Sequence, residues 1–283
     1  MASSSATAFA RSASDSYRAE AFLRDEVRGE GEKDQRAAHS GIVRAMRLIV
    51  GTSGYSYKEW KGTFYPDDLP AAKMLPYYAQ HFESVEINNT FYRMPEAKTL
   101  VKWKGEVPDG FTFVLKAPQR ITHQKKLADA GDDVRHFFDV ASELGEKLGP
   151  ALFQLPPYFR KDVARLREFI AVVPRAARIG FEFRHASWMD DEVFAILRDR
   201  DAALCASDTD EVTDADALLV PTASWGYQRL RRTDYSDDQL RAWRERIDKQ
   251  NWSDAYVFFK HEDEGKGPAF AKRFLTAQDP RPA

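Results

Sequence analysis

The sequence predicts an α/β fold in which a single TIM-type (β/α)₈ barrel follows a disordered N-terminal extension. From Leu48 onward, short runs of β-branched and aromatic residues alternate with helical patterns, which is typical of parallel strands joined by helices. Residues 46–277 approach the roughly 250 residues that such a barrel takes. No glycine-rich phosphate loop follows the first strand, which disfavours an open dinucleotide-binding sheet. We therefore predict one closed barrel over residues 46–277.

Eight runs have the length and composition of barrel strands. These runs are residues 48–53, 84–88, 111–116, 151–156, 178–184, 202–207, 225–231 and 255–260. Helical patterns lie between them, and several begin after a Ser or Asp that can act as an N-cap. They predict helices within residues 71–82, 132–148, 161–173, 189–201 and 236–250. The alternation of these strands and helices gives the eight β/α units of a barrel.

The first 45 residues differ from the rest of the chain. Ser and Ala dominate their start, a run of mixed charges follows, and the apolar periodicity is weak. Such a composition predicts a disordered segment, because too little apolar surface is present to form a core. The alternative is that Met46, directly before the first strand, is the true start and that the preceding residues come from an over-long gene start. The sequence leaves both interpretations open.

Composition excludes several classes of protein. The net charge of −2 provides no global field that would attract nucleic acid or an anionic membrane. A single cysteine, Cys205, cannot form an internal disulfide framework, which favours a reducing compartment and hence the cytoplasm. No run approaches the roughly 18 to 20 apolar residues that span a bilayer, so no membrane partner is expected. The sequence does not indicate an oligomeric state.

Alternation along the strands predicts which polar side chains face the lumen of the barrel. In the second strand, Val85 and Ile87 face the helices, so Glu86 and Asn88 point inward. The same rule places further polar side chains at the C-terminal mouth of the lumen: Lys116, Gln154, Glu182, Arg184, Arg229, Arg231 and Lys260. Because active sites of this fold lie at the C-terminal strand ends, the charged cluster predicts a functional site there.

The strand ends and the loops that follow them add aromatic, hydroxyl and cationic side chains. Those predicted to contact a substrate are Ser53, Tyr55, Trp60, Tyr92, Arg93, His123 and Trp188. They join Asn88, Gln154, Arg184, Arg229 and Lys260 in the predicted substrate-binding set. Aromatic faces beside cations suit a flat or ring-shaped ligand, because they combine stacking with charge.

Five blocks of sequence in these loops carry a family resemblance. They are GTSGYSYKEWKGTFYP (51–66), VEINNTFYRMP (85–95), LKAPQRITH (115–123), LGPALFQLPP (148–157) and FEFRHASW (181–188). Over residues 48–275 the chain resembles the YecE-like family, the domain of unknown function DUF72. The resemblance implies a TIM barrel and brings no reaction, substrate or cofactor. The block FFKHEDEGKGPAF (258–270) departs from the common family form, in which the eighth strand ends in an Asn-rich motif, so ligand details need not carry over.

The favoured hypothesis is an enzyme with hydrolase-like acid/base chemistry. Glu86 and Glu182 would act as complementary acid and base, since a neighbouring carboxylate raises one pKa and a cation lowers the other. Lys116 and His185 complete the predicted catalytic set. The nearby cations favour a small anionic or phosphorylated substrate, because Arg binds oxyanions through two parallel hydrogen bonds. No cofactor is predicted.

Three alternatives remain open at this stage. A divalent metal could serve a phosphodiesterase or endonuclease-like barrel through Glu86, Glu182, His185, Asp208, His261 and Glu262, although the sequence lacks HxH and HExxH spacing. The barrel mouth could instead bind nucleic acid or a metabolite without catalysis. Finally, the charged side chains could form an ion-pair network that only fills the lumen.

Overall fold

The computed structural model describes residues 45–212, 214–260 and 263–277. The predicted extension over residues 1–45 lies outside the described residues, except for its last residue. Whether it is an extension or an over-long start therefore stays a prediction. Within the described residues, the chain forms one barrel with helices around it.

Eight parallel strands close into a barrel in the order in which they occur along the chain. They are β1 (Arg47–Ser53), β2 (Ser84–Ile87), β3 (Thr112–Lys116), β4 (Leu148–Gln154), β5 (Ile179–Glu182), β6 (Ala203–Asp208), β7 (Gly226–Leu230) and β8 (Asp254–Phe259). All eight predicted strands are confirmed, and β1 pairs with both β2 and β8 to complete the ring. The predicted fold class is thus confirmed.

The described residues contain eight α-helices on the outside of the barrel. They are α1 (Met74–Tyr78), α2 (Asn89–Tyr92), α3 (Ala97–Glu106), α4 (Gly131–Ala141), α5 (Val163–Val172), α6 (Asp191–Arg200), α7 (Asp237–Asp248) and α8 (Lys266–Thr276). Short 3₁₀ segments cover Lys58–Trp60, Ala71–Lys73, Ser142–Lys147, Ala186–Trp188, Asp216–Leu218 and Asp263–Gly265, and a π-helical turn covers Arg120–Gln124. All five predicted helical regions contain helix. Side-chain N-caps start α5, α6 and α7, where Asp162, Asp190 and Ser236 accept backbone N–H groups.

Side chains on opposite faces of the strands form two separate apolar clusters. The larger one lies between barrel and helices and includes Val85, Ile87 and Phe181, as the alternation predicts. The smaller one fills the lower lumen with Ile49, Val114, Leu152, Ala203, Cys205, Trp225, Tyr227, Tyr256 and Phe258. Polar side chains from the C-terminal strand ends lie above it. The lumen is therefore a packed apolar core that is covered by a layer of polar side chains at the mouth of the barrel.

Gly51 allows β1 to approach β2 closely. A Cβ atom added there would lie 2.0 Å from the backbone oxygen of Ser84 and 3.0 Å from the hydroxyl of Tyr78. That hydroxyl bonds both strands, because it donates to the Ser84 carbonyl and accepts from the backbone N–H of Thr52. Glycine is therefore required at this position by the close approach of backbone.

We predict that Gly51→Ala lowers the free energy of unfolding by about 2 kcal/mol or more, because the added methyl group forces the two strands apart. Gly105→Ala in α3 is the matched control. A Cβ at Gly105 meets nothing within 4 Å. This change should stabilise the protein by roughly 0.5 to 1 kcal/mol through helix propensity. Denaturant unfolding of both variants tests the prediction, and equal stability of the two would contradict it.

No helix in the described part of the chain is long and apolar enough to cross a bilayer.

Candidate functional site

The buried guanidinium of Arg229 lies between two carboxylates at the centre of the polar layer. Its Nη2 donates to Glu86 Oε1 at 2.8 Å, and its Nη1 donates to Glu182 Oε2 at 2.5 Å. Only 2% of the Arg229 side chain is exposed, and the two glutamates are equally inaccessible. Because β2, β5 and β7 supply these three residues, one cation connects three strands across the lumen.

Glu182 is the most heavily paired carboxylate of the lumen. Besides Arg229, it accepts from Gln154 Nε2 at 2.8 Å and from Arg184 Nε at 3.0 Å, and Arg231 Nη1 lies 3.6 Å from Oε1. Burial alone would raise its pKa, but the charges of Arg229, Arg184 and Arg231 outweigh burial and hold the pKa well below its usual range. Glu182 is therefore a fixed anion at neutral pH.

Glu86 receives a second hydrogen bond from the floor of the lumen. The hydroxyl of Tyr227 donates to Oε2 at 2.6 Å, while Arg229 occupies Oε1. Burial, together with the neighbouring carboxylate, raises the Tyr227 pKa well above its usual value. The phenol consequently stays protonated and remains a hydrogen-bond donor.

Lys116 ends β3 beside these carboxylates and carries an unusual amine. Its Nζ lies 4.1 Å from the ring centroid of Phe91, which is a cation–π contact. Burial and then the charge of Arg229 lower its pKa, whereas Glu86 and Glu182 act in the opposite direction, and the result is a pKa of about 8. Part of the Lys116 population is thus neutral near physiological pH.

His123 lies beside Lys116 in the loop that follows β3. Its ring packs edge-on against Phe91, with centroids 4.9 Å apart, and Nδ1 lies 2.9 Å from the hydroxyl of Thr122. Burial and the charges of Lys116 and Arg184 lower the His123 pKa. The imidazole is therefore neutral at physiological pH.

We define the lumen cluster as Glu86, Lys116, Gln154, Glu182, Arg184, Arg229 and Arg231. It contains four cationic side chains and two carboxylates, so positive charge is in excess. The Nε atoms of Arg229 and Arg231 are buried without a hydrogen-bond partner within the described residues. An excess of cations with unused donors is an arrangement that can accept an oxyanion.

Ser53 adds a buried hydroxyl at the end of β1. Thr52 bonds Tyr78 on the helix side, so Ser53 faces the lumen, and its backbone pairs in register with Glu86. Its Oγ also has no hydrogen-bond partner in the part of the chain that the structure describes. Since unsatisfied buried hydroxyls are rare in proteins, this atom is another candidate ligand contact.

Three predicted aromatic contacts are placed elsewhere, which corrects their expected position. Trp60 and Trp188 are fully buried in the core between barrel and helices, and the indole N–H of Trp188 donates to the Phe159 carbonyl at 2.7 Å. Tyr55 packs against the ring of Tyr78 in the same layer, and burial raises its pKa to about 12. Their rings extend the outer core and do not line the mouth.

Three other predicted residues are not part of the lumen cluster. His185 caps the 3₁₀ turn that follows β5, where its Nδ1 accepts from the backbone N–H of Ser187 at 3.1 Å. Among the described residues, no hydrogen bond or ion pair joins His185 to Glu86 or Glu182. The structure therefore offers no catalytic contact for His185.

Tyr92 and Arg93 lie at a different place. Tyr92 is 73% exposed, and both residues line a separate cavity of about 400 Å³ together with Trp103.

Asn88 and Lys260 lie at the strand ends that the sequence predicts. Asn88 is half-buried directly after β2, and Lys260 is half-buried directly after β8, where its backbone N–H donates to the Leu230 carbonyl. Both border the mouth.

The suggested metal ligands that the structure describes are Glu86, Glu182, His185 and Asp208, and they do not form a metal site. No group of three or more His, Cys, Asp or Glu side chains is arranged to hold an ion in residues 45–212, 214–260 and 263–277. Asp208 instead accepts hydrogen bonds from Arg232, Tyr235 and the indole of Trp243, which anchor the end of β6 to α7 and the loop before it. His261 and Glu262 lie outside the described residues.

Two residues of the site were missed by sequence reasoning. Tyr227 follows the same alternation as Arg229 and could have been found by extending that rule down β7. Phe91 carries no such signal, because its contact with Lys116 depends on how the short helix α2 folds over the end of β3. The hydroxyl of Thr90 holds that position by donating to the Lys116 carbonyl at 2.6 Å.

Comparison with known sequences identifies the family to which the barrel is similar. The family profile described as "Protein of unknown function DUF72" matches residues 49–282. UPF0759 protein YecE of Escherichia coli K12 is 34% identical over 139 residues, which cover 49% of this chain and about half, 48%, of that protein. UPF0759 protein YunF of Bacillus subtilis is 23% identical over 82% of this chain and 95% of its own length.

Solved structures of DUF72 family proteins are similar to this barrel as well. The crystal structure of a DUF72 family protein from Thermotoga maritima superposes with a TM-score of 0.72 at 26% identity, covering 81% of this chain and 98% of that one. A DUF72 family protein from Enterococcus faecalis shares the fold, with a TM-score of 0.65 at 18% identity over 82% of this chain and 98% of the other. The profile match begins in β1 and extends past α8. Since it thereby takes in every strand that contributes to the lumen cluster, the chain belongs to the DUF72 family.

Proposed function

We propose that the barrel mouth is an enzyme site for a small molecule bearing a phosphate or carboxylate group. Lys116, Arg184 and Arg231 are the proposed anion contacts, and Lys116 is the proposed proton-transfer group. The observation that carries the proposal is the excess of positive charge in the lumen cluster, where four cations face two carboxylates. A bound oxyanion would neutralise this excess.

The energetic cost of the arrangement supports a function. Charged groups at this depth lose hydration, and apolar replacements of buried ion pairs are often neutral or stabilising. A network that served only stability would balance its charges, whereas this one leaves the Nε of Arg231 and the Oγ of Ser53 without partners. The imbalance therefore favours a ligand over an ion-pair network that fills the lumen.

The geometry favours Lys116 over the glutamates as the proton-transfer group. Both carboxylates are bound to the same guanidinium, and the lowered pKa of Glu182 makes it a poor proton acceptor. A base works best when its pKa lies near the operating pH, and the pKa of Lys116 is about 8. Hydrolysis by a Glu86–Glu182 acid/base pair is accordingly the reaction that the geometry supports least.

Removing one mouth arginine should weaken anion binding. We predict that Arg231→Gln and Arg184→Gln each lower the affinity for inorganic phosphate by about 10-fold or more, because each removes a charge-assisted hydrogen-bond donor. Calorimetric titration, or broadening of the phosphate ³¹P resonance, measures the change.

Arg178→Gln is the matched control, since Arg178 is a partly exposed arginine paired with Asp254 at the opposite end of the barrel. Equal losses in all three variants, or no phosphate binding by the unmodified protein at millimolar concentration, would contradict the proposal. Binding of an oligonucleotide with a steep salt dependence and without competition by phosphate would instead favour a nucleic-acid site.

Replacing Lys116 with an apolar residue should stabilise the protein and at the same time remove phosphate binding. We predict that Lys116→Met raises the free energy of unfolding at pH 7 by about 1 to 3 kcal/mol, since the pKa of Lys116 is lower in the folded protein than in the unfolded chain. The unfolded chain binds more protons between the two pKa values. The increase in the free energy of unfolding therefore has its largest value below pH 8 and disappears as the pH rises to about 10.4.

The same variant should lose phosphate binding. Lys126→Met is the control, because Nζ of Lys126 also lies over an aromatic ring, 5.2 Å from the centroid of Tyr158. Denaturant unfolding at pH 7 and pH 10.5 tests the stability change. A destabilised Lys116→Met protein at pH 7 would show that the lysine is a structural cation.

A further inference from the structure

We propose that Nζ of Lys116 is a nucleophile that forms an imine with the aldehyde or ketone group of a small anionic carbonyl compound. This inference rests on the proposed function and names the substrate class for the same site. It adds a covalent step to anion binding.

The position of the amine is determined by contacts on both sides of β3. The Lys116 backbone pairs with Leu152 of β4, and its carbonyl accepts from the Thr90 hydroxyl at 2.6 Å. The side chain extends over the Phe91 ring, which places Nζ 4.1 Å from the ring centroid. A single amine is thereby held at the mouth in a pre-organised direction, as covalent catalysis requires.

The surroundings of Lys116 keep part of the amine unprotonated. The charged groups that face it are Glu86 from β2, Glu182 from β5, Arg184 from the segment directly after β5, and Arg229 from β7. The neutral imidazole of His123 faces it from the loop after β3. Desolvation and the two arginines outweigh the carboxylates, which gives the pKa of about 8. At pH 7.5 roughly a quarter of the amine is neutral, compared with about a thousandth for a free lysine side chain.

Cations beside the amine select the carbonyl compound. Arg184 is 33% exposed and Arg231 is 21% exposed, so both can reach a ligand while they remain paired with Glu182. A carboxylate or phosphate bound there would hold an adjoining carbonyl carbon near Lys116. A substrate with both groups fits the site better than a neutral aldehyde, because the anion provides binding energy and orientation.

The proposed step balances without a redox partner. The ammonium first releases a proton to water, and the neutral amine adds to the carbonyl carbon, forming a C–N bond while the oxygen takes the amine proton. The resulting carbinolamine loses water as the C–O bond breaks and the C=N bond forms. Hydrolysis reverses the sequence and regenerates the lysine.

Trapping with a reductant tests the inference on the full chain. The protein is incubated at pH 7.5 with glyoxylate, a small anionic aldehyde, and sodium cyanoborohydride, which reduces an imine to a stable secondary amine. Peptide mass spectrometry then locates carboxymethyl groups. We expect Lys116 to be modified at least 10-fold faster than Lys126, with half-maximal rate near pH 8, whereas Nα-acetyl-lysine should still accelerate above pH 9.

Two comparisons identify the role of the anion. Arg184→Gln should slow modification of Lys116 by glyoxylate several-fold more than modification by uncharged glycolaldehyde. Both reactions lose a charge that lowers the Lys116 pKa, but only glyoxylate also loses a binding partner. Inorganic phosphate should compete with glyoxylate at Lys116 and not at Lys126. Lys116→Arg retains the positive charge, and loss of the fast-reacting fraction in this variant would assign the reaction to the amine.

The outcomes separate this inference from the proposed function. Equal rates at Lys116 and Lys126 with phosphate binding intact would overturn the imine and leave the anion site standing. Equal rates without phosphate binding would overturn both. Fast modification of Lys116 by glyoxylate and glycolaldehyde alike, unaffected by Arg184→Gln, would overturn the assignment of an anionic substrate.

Discussion

The buried guanidinium of Arg229, bound to Glu86 and Glu182 at once, is the interaction on which the upper half of the barrel depends. It joins β2, β5 and β7 through charge-assisted hydrogen bonds in a region closed to water. Without it, Glu86 would keep only the Tyr227 hydroxyl as a side-chain partner, and removing one partner of a buried ion pair costs about 3 to 5 kcal/mol. The apolar floor below, which includes Tyr227, keeps the bonds dry and adds a donor to Glu86.

The same bridge determines which groups remain for chemistry. Because Arg229 already occupies both glutamates, the further cations at the mouth are only partly neutralised. Glu182 serves as the common counter-ion for Arg184 and Arg231, and the Nε of Arg231 has no hydrogen-bond partner among the described residues. Burial, together with the same positive charge, lowers the pKa of Lys116. The anion binding and the reactive amine that we propose would therefore have one physical origin.

Strand alternation was the rule that carried most of the correct predictions. A residue two positions along a strand returns to the same face, so the inward direction of Glu86, Glu182 and Arg229 followed from their apolar neighbours. In loops, the direction of the side chains does not alternate regularly. Trp60 and Trp188 were expected at the mouth because they follow strand ends, yet their large apolar rings are buried in the core between barrel and helices. His185 was predicted as a catalytic residue from its chemistry and its position in the loop after the fifth strand, and its ring nitrogen caps a short turn there.

The sequence by itself determined the eight-stranded barrel, the approximate strand positions, the polar layer at the mouth and the family resemblance. These properties depend on local periodicity and composition, which the order of residues contains directly. Only the tertiary structure decided that one arginine binds both glutamates, that Phe91 lies under Lys116, and that Asp208 is held by donors from the segment around α7. Such pairings join residues far apart in the chain, and they follow from barrel closure and loop packing, which no local pattern encodes.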